Sequence, residues 1–171
     1  MVGEGAALLV SRALTAAGLD PDLDAALPRF LELYDERLVE HTRPYTGTPE
    51  MLDTLAARGP LAILTNKPQH HTDRLLDALA LSAFFQWVIG GDTPFGRKPD
   101  PAGLRELMSR ASAGASETVL VGDSAIDLRT AHVAGVRLCL VRYGFGFSTV
   151  EGLLEPGDCV VDAPAGLTQL C

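Results

Sequence analysis

A chain of 171 residues fits one domain, or one core domain with a small appendage. With 47% hydrophobic residues it can pack a core, and its formal net charge of −8 excludes an extended nucleic-acid surface, because no basic stripe is available to neutralise a run of phosphates. A small phosphate bound locally remains compatible with that charge.

The longest apolar stretches, such as residues 61–64, are far too short to cross a bilayer, and the opening Met-Val-Gly-Glu-Gly lacks the basic and apolar regions of a secretory signal. Cys139, Cys159 and Cys171 follow no metal-ligand spacing. The first two sit in apolar strand-like runs as inert thiols, and a reducing, cytoplasmic setting is expected.

Helical periodicity opens the chain. Residues 5–18 place Leu8, Leu9, Ala13 and Leu14 on one side of a helix that Gly18 stops. A second stripe, Leu27, Phe30, Leu31, Tyr34 and Leu38, predicts a helix over about 23–41, with Pro28 near its start or kinking it. After Pro44 the rhythm changes. Thr48 is expected to cap a short helix over 49–58, with Gly59 beyond its end. Strands are predicted at 61–64, 87–89, 118–121, 137–141 and 159–161, with helices from 68 to about 79, from near 101, and from 125 to about 134. Strands alternating with helices predict an α/β fold whose parallel sheet is covered on both faces, and continuously apolar strands suit burial on both sides.

In such sheets ligands bind at the carboxyl ends of the strands. Three polar clusters lie there or in the loop beyond. Thr65-Asn66 follows the first strand, where a hydroxyl and main-chain N–H groups either hold phosphate oxygens or cap the next helix. Lys98, in Gly96-Arg97-Lys98-Pro99-Asp100-Pro101, is either a loop lysine in solvent or an ammonium that the flanking prolines hold still beside a phosphoryl group. Asp123 and Asp127, four apart where a strand enters a helix, are either hard oxygen ligands for magnesium or a helix cap and a favourable dipole contact. Their occurrence in this order favours the functional reading of all three.

These sequences resemble the haloacid dehalogenase superfamily, specifically its phosphoglycolate phosphatase-like branch, over essentially the whole chain. Val2-Gly3-Glu4-Gly5-Ala6 resembles the substrate-facing loop of that branch's helical cap, and Pro44-Tyr45-Thr46-Gly47 the return from cap to core. Leu64-Thr65-Asn66-Lys67-Pro68 is similar to the second motif, and Gly90-Gly91-Asp92 with Arg97-Lys98-Pro99-Asp100-Pro101 to the third. Val121-Gly122-Asp123-Ser124 with Asp127 is similar to the fourth, and Arg142-Tyr143-Gly144 and Val160-Val161-Asp162 also look like this branch.

The resemblance implies a partial helical cap over 1–43 and a Rossmann-like core over 44–171, its parallel sheet flanked by helices. It implies that Thr65 and the Asn66 amide bind the transferring phosphate while Lys98 neutralises it, Thr65 and Lys98 counting as catalytic. Asp123 becomes a Mg2+ ligand, and Asp127 supports the metal shell or Lys98. The implied protein is a cytoplasmic monomer or homodimer that acts on a small phosphorylated metabolite through an aspartyl-phosphate, with no nucleic-acid or membrane partner.

One departure stands out. The family's first motif, Asp-x-Asp-Gly-Thr on the central strand, supplies the nucleophile and the acid/base, and it is not found between Met1 and the second motif. Asp22-Leu23-Asp24 follows no apolar strand and reads as a helix start. The expectation is a chain shortened at its N-terminus and inactive alone, with a slot, or else a direct pairing, between the strands ending at Thr65 and Val121. A non-catalytic phosphate-binding or interaction protein that has lost the motif is the alternative of another class. Sugar-phosphate phosphatases and mutases are alternatives within the superfamily. A phospho-receiver is excluded because Asp123 follows Lys98, and a metal-free dehalogenase because it would not use the Gly-Asp-Ser-x-x-Asp pair. Arg12 and Arg43 are the cap-region cations to watch.

Overall fold

The computed structural model of the protein describes residues 5–20 and 22–170. Two helices, α1 (Ala6–Ala16) and α2 (Leu23–Arg37), pack on each other ahead of the first strand. Asp22 caps α2, its carboxylate accepting the N–H groups of Asp24 at 3.2 Å and Ala25 at 3.4 Å. That assigns Asp22-Leu23-Asp24 to a helix start, as its neighbours suggested. Pro28 lies inside α2. Helix α3 (Thr48–Ala56) begins differently from expectation: Gly47, at φ 82°, is the cap, and Thr48 is the first helical residue. The chain enters that helix through a left-handed conformation that favours glycine, so the hydroxyl has no cap to make.

There follow β1 (Ala62–Leu64), α4 (Gln69–Ala78), β2 (Trp87–Ile89), α5 (Ala102–Ala111), β3 (Val119–Gly122), α6 (Ala125–Ala134), β4 (Arg137–Val141) and β5 (Cys159–Val161). Every strand pair is parallel. Ala62 to Leu64 run beside Trp87 to Ile89, Val119 to Gly122 beside Arg137 to Leu140, and Cys139 to Val141 beside Cys159 to Val161.

Alternate side chains feed two cores, as the two-residue period of a strand requires. Leu120, Leu138 and Leu140 join Leu104 of α5 and Leu128 of α6 on one face, with Leu64 packed against them. Cys139 and Val161 join Met51 and Leu52 of α3 and Leu76 of α4 on the other, with Ile63 and Val119 packed against them. The Cys139 thiol is fully buried, and burial together with the neighbouring Cys159 pushes its pKa up, as befits an inert thiol. Cys171 lies outside the described residues. No described helix is long and apolar enough to cross a membrane.

The strands form two sheets, β1-β2 and β3-β4-β5. β1 and β3 contribute to the same two cores, yet no backbone ladder joins them among the described residues. Direct pairing of β1 with β3, one of the two expected arrangements, is therefore not seen among the described residues. The expectation that every strand is buried on both faces is also corrected: Val121, in the middle of apolar β3, is 43% exposed.

Candidate active site

The tip of β3 is shaped by a close approach. A Cβ on Gly122 would lie 2.3 Å from the Cβ of Asp127, so only glycine lets the strand run past that side chain. Ser124 is the N-cap of α6, and Asp127, three residues on, turns back over the helix start. Its Oδ2 accepts the N–H groups of Asp123 at 3.2 Å and Ser124 at 3.1 Å and the Ser124 hydroxyl at 2.6 Å. Its Oδ1 meets Lys98 Nζ at 2.7 Å. Burial opposes the charge on Asp127, which is 4% exposed. The Lys98 ammonium and the donors of Asp123 and Ser124 outweigh that burial and hold the carboxyl below its ordinary pKa. The cap is thus Ser124, not Asp123. Asp123 is held from the other side, accepting Gly146 N–H on Oδ2 at 3.2 Å beneath Gly144, where an added Cβ would fall 2.1 Å from its own.

Asn66 fixes the lysine loop. Its Nδ2 donates to Lys98 O at 2.9 Å, and Lys98 N–H donates to its Oδ1 at 2.7 Å. The carboxamide therefore holds the main chain of Lys98. Thr65 Oγ1 accepts Lys67 N–H at 3.1 Å, shaping the turn into α4. Gly90 and Gly91 allow the end of β2 to press against that turn, since a Cβ on either would meet the Gln69 or Asn66 backbone at 2.5 Å. Asp92 then accepts Gln69 N–H at 2.7 Å at the start of α4.

Thr65, Asn66, Lys98, Asp123 and Asp127 all line one cavity of about 430 Å³. Leu9 of α1 and Phe30, Leu31 and Tyr34 of α2 form its apolar side, and Gly5 and Ala6 reach its edge. Residues 2–4 of the expected substrate-facing loop lie outside the described residues. Arg12 and Arg43 are not among the lining residues, and Arg43 donates to the main-chain oxygens of Val39 and Thr42. Lys67, quoted only as part of a motif, and Tyr34, taken only as part of a helical stripe, are among the lining residues to which the sequence assigned no role of their own. Among the described residues, Asp123 and Asp127 are the acids that line the cavity, and there is no cluster of three or more His, Cys, Asp or Glu able to hold a metal.

A sequence model of the haloacid dehalogenase-like hydrolases matches residues 10–141, well over half of the chain. The chain belongs to that family. Among curated relatives, the phosphoglycolate phosphatase of Rhodospirillum rubrum is 42% identical over 161 residues, covering 90% of this chain and 67% of that protein. The enzyme of the same name from Pseudomonas savastanoi pv. phaseolicola is 41% identical over 150 residues. That match covers 84% of this chain, which spans 55% of the Pseudomonas protein. The crystal structure of a predicted phosphoglycolate phosphatase from Haemophilus somnus superposes with a TM-score of 0.87 at 27% identity. It covers 99% of this chain and 78% of the Haemophilus chain. In this haloacid dehalogenase-like chain, the three polar clusters and the helical pair α1-α2 thus meet around a single cavity.

Proposed function

We propose that the protein carries the phosphate- and metal-binding part of a magnesium-dependent phosphomonoester hydrolase of the phosphoglycolate phosphatase type. The convergence of Thr65, Lys98 and Asp123 on one cavity at strand ends supports this reading most directly. The Thr65 hydroxyl and the main chain entering α4 hold the transferring phosphate. Lys98, set in place by Asn66 and Asp127, offsets its charge.

Asp123 suits Mg2+, which takes one or two carboxylates together with phosphate oxygens and water. A magnesium ion bound there supplies charge neutralisation at the phosphate oxygens. Both Asp127 oxygens already face protein donors, so Asp127 supports Lys98 and leaves the metal to Asp123.

In this reading an aspartate attacks phosphorus, the alcohol leaves with a proton from a second aspartate, and water hydrolyses the aspartyl-phosphate. Asp123 and Asp127 are committed elsewhere, and Asp22 caps α2, so we assign nucleophile and acid/base to a strand seated in the slot between β1 and β3. A parallel strand there would open its carboxyl end on the same cavity. Alone, the chain binds phosphate without turning it over.

The test is to graft a strand ending in Asp-x-Asp-Gly-Thr ahead of α1 and assay 2-phosphoglycolate with and without magnesium. The extended protein should release phosphate only with magnesium, and Lys98→Ala should cost it about 3 kcal/mol of transition-state stabilisation. Full turnover by the unextended chain would refute the assignment.

A further inference from the structure

The amino ends of β3, β4 and β5 open on a second cavity of about 340 Å³. It lies at the opposite end of β3 from Asp123, and it shares no lining residue with the first cavity. Val119, Leu138, Cys159 and Leu170 make its walls apolar, while Arg137 and Gln169 supply polar side chains. The Cys159 thiol is already directed at Leu138 O, 3.4 Å away. Arg58 donates to Thr168 O at 2.5 Å and so fixes the segment that carries Gln169 and Leu170.

No residue that lines this cavity is acidic, in a chain whose formal net charge is −8. The acids closest to it in sequence are engaged elsewhere. Asp158 and Glu155 face His132 at 3.1 Å and 3.6 Å, and Glu117 accepts Gly114 N–H at 2.9 Å. Among the described residues none bonds the guanidinium of Arg137. Its charge therefore stands uncancelled at the mouth of an apolar pocket.

We propose that this second cavity binds a small monocarboxylic acid with an apolar body. The carboxylate sits on Arg137, and the hydrocarbon lies between Val119, Leu138 and Leu170. A guanidinium is a planar fork whose parallel N–H groups match the two oxygens of one carboxylate. Gln169 adds an amide donor. A single cation in the lining fits a single negative charge, whereas a phosphate dianion calls for more. Ligand cavities span roughly 300–1,000 Å³, so this one takes a short acid and no larger molecule.

The experiment is calorimetric titration of this chain with hexanoate, acetate and hexan-1-ol, and again with hexanoate in saturating inorganic phosphate and magnesium. Hexanoate should bind, with acetate, which lacks the body, and hexan-1-ol, which lacks the charge, each weaker by at least about 10-fold. Phosphate and magnesium should leave hexanoate affinity unchanged, because the cavities share no residue. Arg137→Met should lower that affinity by about 10- to 100-fold, the loss of one charge-assisted contact, and Arg137→Lys should recover part of it. Gln169→Leu, at another exposed position, should lower it by about 3- to 10-fold. Urea unfolding of each variant with an unchanged midpoint shows that the fold is kept. Failure of hexanoate to bind, equal affinity for hexan-1-ol, or undiminished binding by Arg137→Met and Gln169→Leu overturns the proposal. Displacement of hexanoate by phosphate also overturns it, since the acid would then occupy the cavity of Asp123.

Discussion

Replacing Asp127 by asparagine keeps the shape of the side chain and removes its charge. The carboxylate accepts four donors, Lys98 Nζ at 2.7 Å and three from Asp123 and Ser124. An asparagine has one acceptor oxygen, so either the lysine or the start of α6 would face an NH2 group. A buried donor left facing a donor costs roughly 1–3 kcal/mol, and a buried charge stripped of its partner about 3–5 kcal/mol. The Lys98 side chain is 15% exposed, so water softens the second figure and a total near 3 kcal/mol is expected. That is a large part of the ~5–15 kcal/mol that holds a domain together.

Urea unfolding at pH 7 of the parent chain, Asp127→Asn, Lys98→Met and the double variant measures it. The double variant should be more stable than Asp127→Asn alone, because it leaves no orphan ammonium. The folded pKa of Asp127 is depressed, so the pair's contribution is complete above the unfolded carboxylate value of about 4 and is lost as pH falls through the folded value. The gap between parent and Asp127→Asn should therefore close in acid. A cost under about 0.5 kcal/mol at pH 7, or strict additivity in the cycle, would refute this account of the pair.

The pKa of His71 is lowered, first by burial and then by the charges of His70, Lys67 and Arg74, against the opposing pull of Asp35. Its neutral form favours the fold, so stability should decline as pH drops from about 6.5 through the folded value. Thermal melts at pH 7.5 and 5.5 should show a fall that His71→Leu diminishes. Gly144→Ala would put a methyl group 2.1 Å from the Cβ of Asp123. It should cost about 1–3 kcal/mol in urea unfolding and weaken magnesium binding in calorimetry; no change in either would mean the loop yields freely.

The secondary structure was legible because each element carries its own local signal. The apolar cores of β2 and β4 and the helix start at Asp22 follow from composition and spacing a few residues long, whereas the cap of α6 falls on Ser124 and not on Asp123. Thr48 misled because the cap there rests on a positive φ at Gly47, which favours no side chain that a pattern would reveal. The family resemblance left the separation of β1 from β3 as one of two alternatives, and periodicity could not choose because it says nothing about which strands pair. The convergence of Thr65, Lys98 and Asp123 could be anticipated from their places at strand ends. The bonds that implement it could not: the Asn66 latch joins positions 32 residues apart. Lys67 and Tyr34 meet across 33 residues, each with an adequate local explanation of its own.

The attachment of α2 has a dynamic consequence. That helix contains no fully buried residue, and polar groups join it to α4 and the turn before it, with Asp35 against Arg74, His70 and His71 of α4 and Tyr34 against Lys67 of the turn. Contacts of this kind weaken with ionic strength, whereas the apolar faces on either side of β4 do not. Added salt should therefore loosen the side of the cavity that α2 forms before it loosens the sheet beneath, and the hold of the cavity on a bound molecule would then depend in part on the solvent.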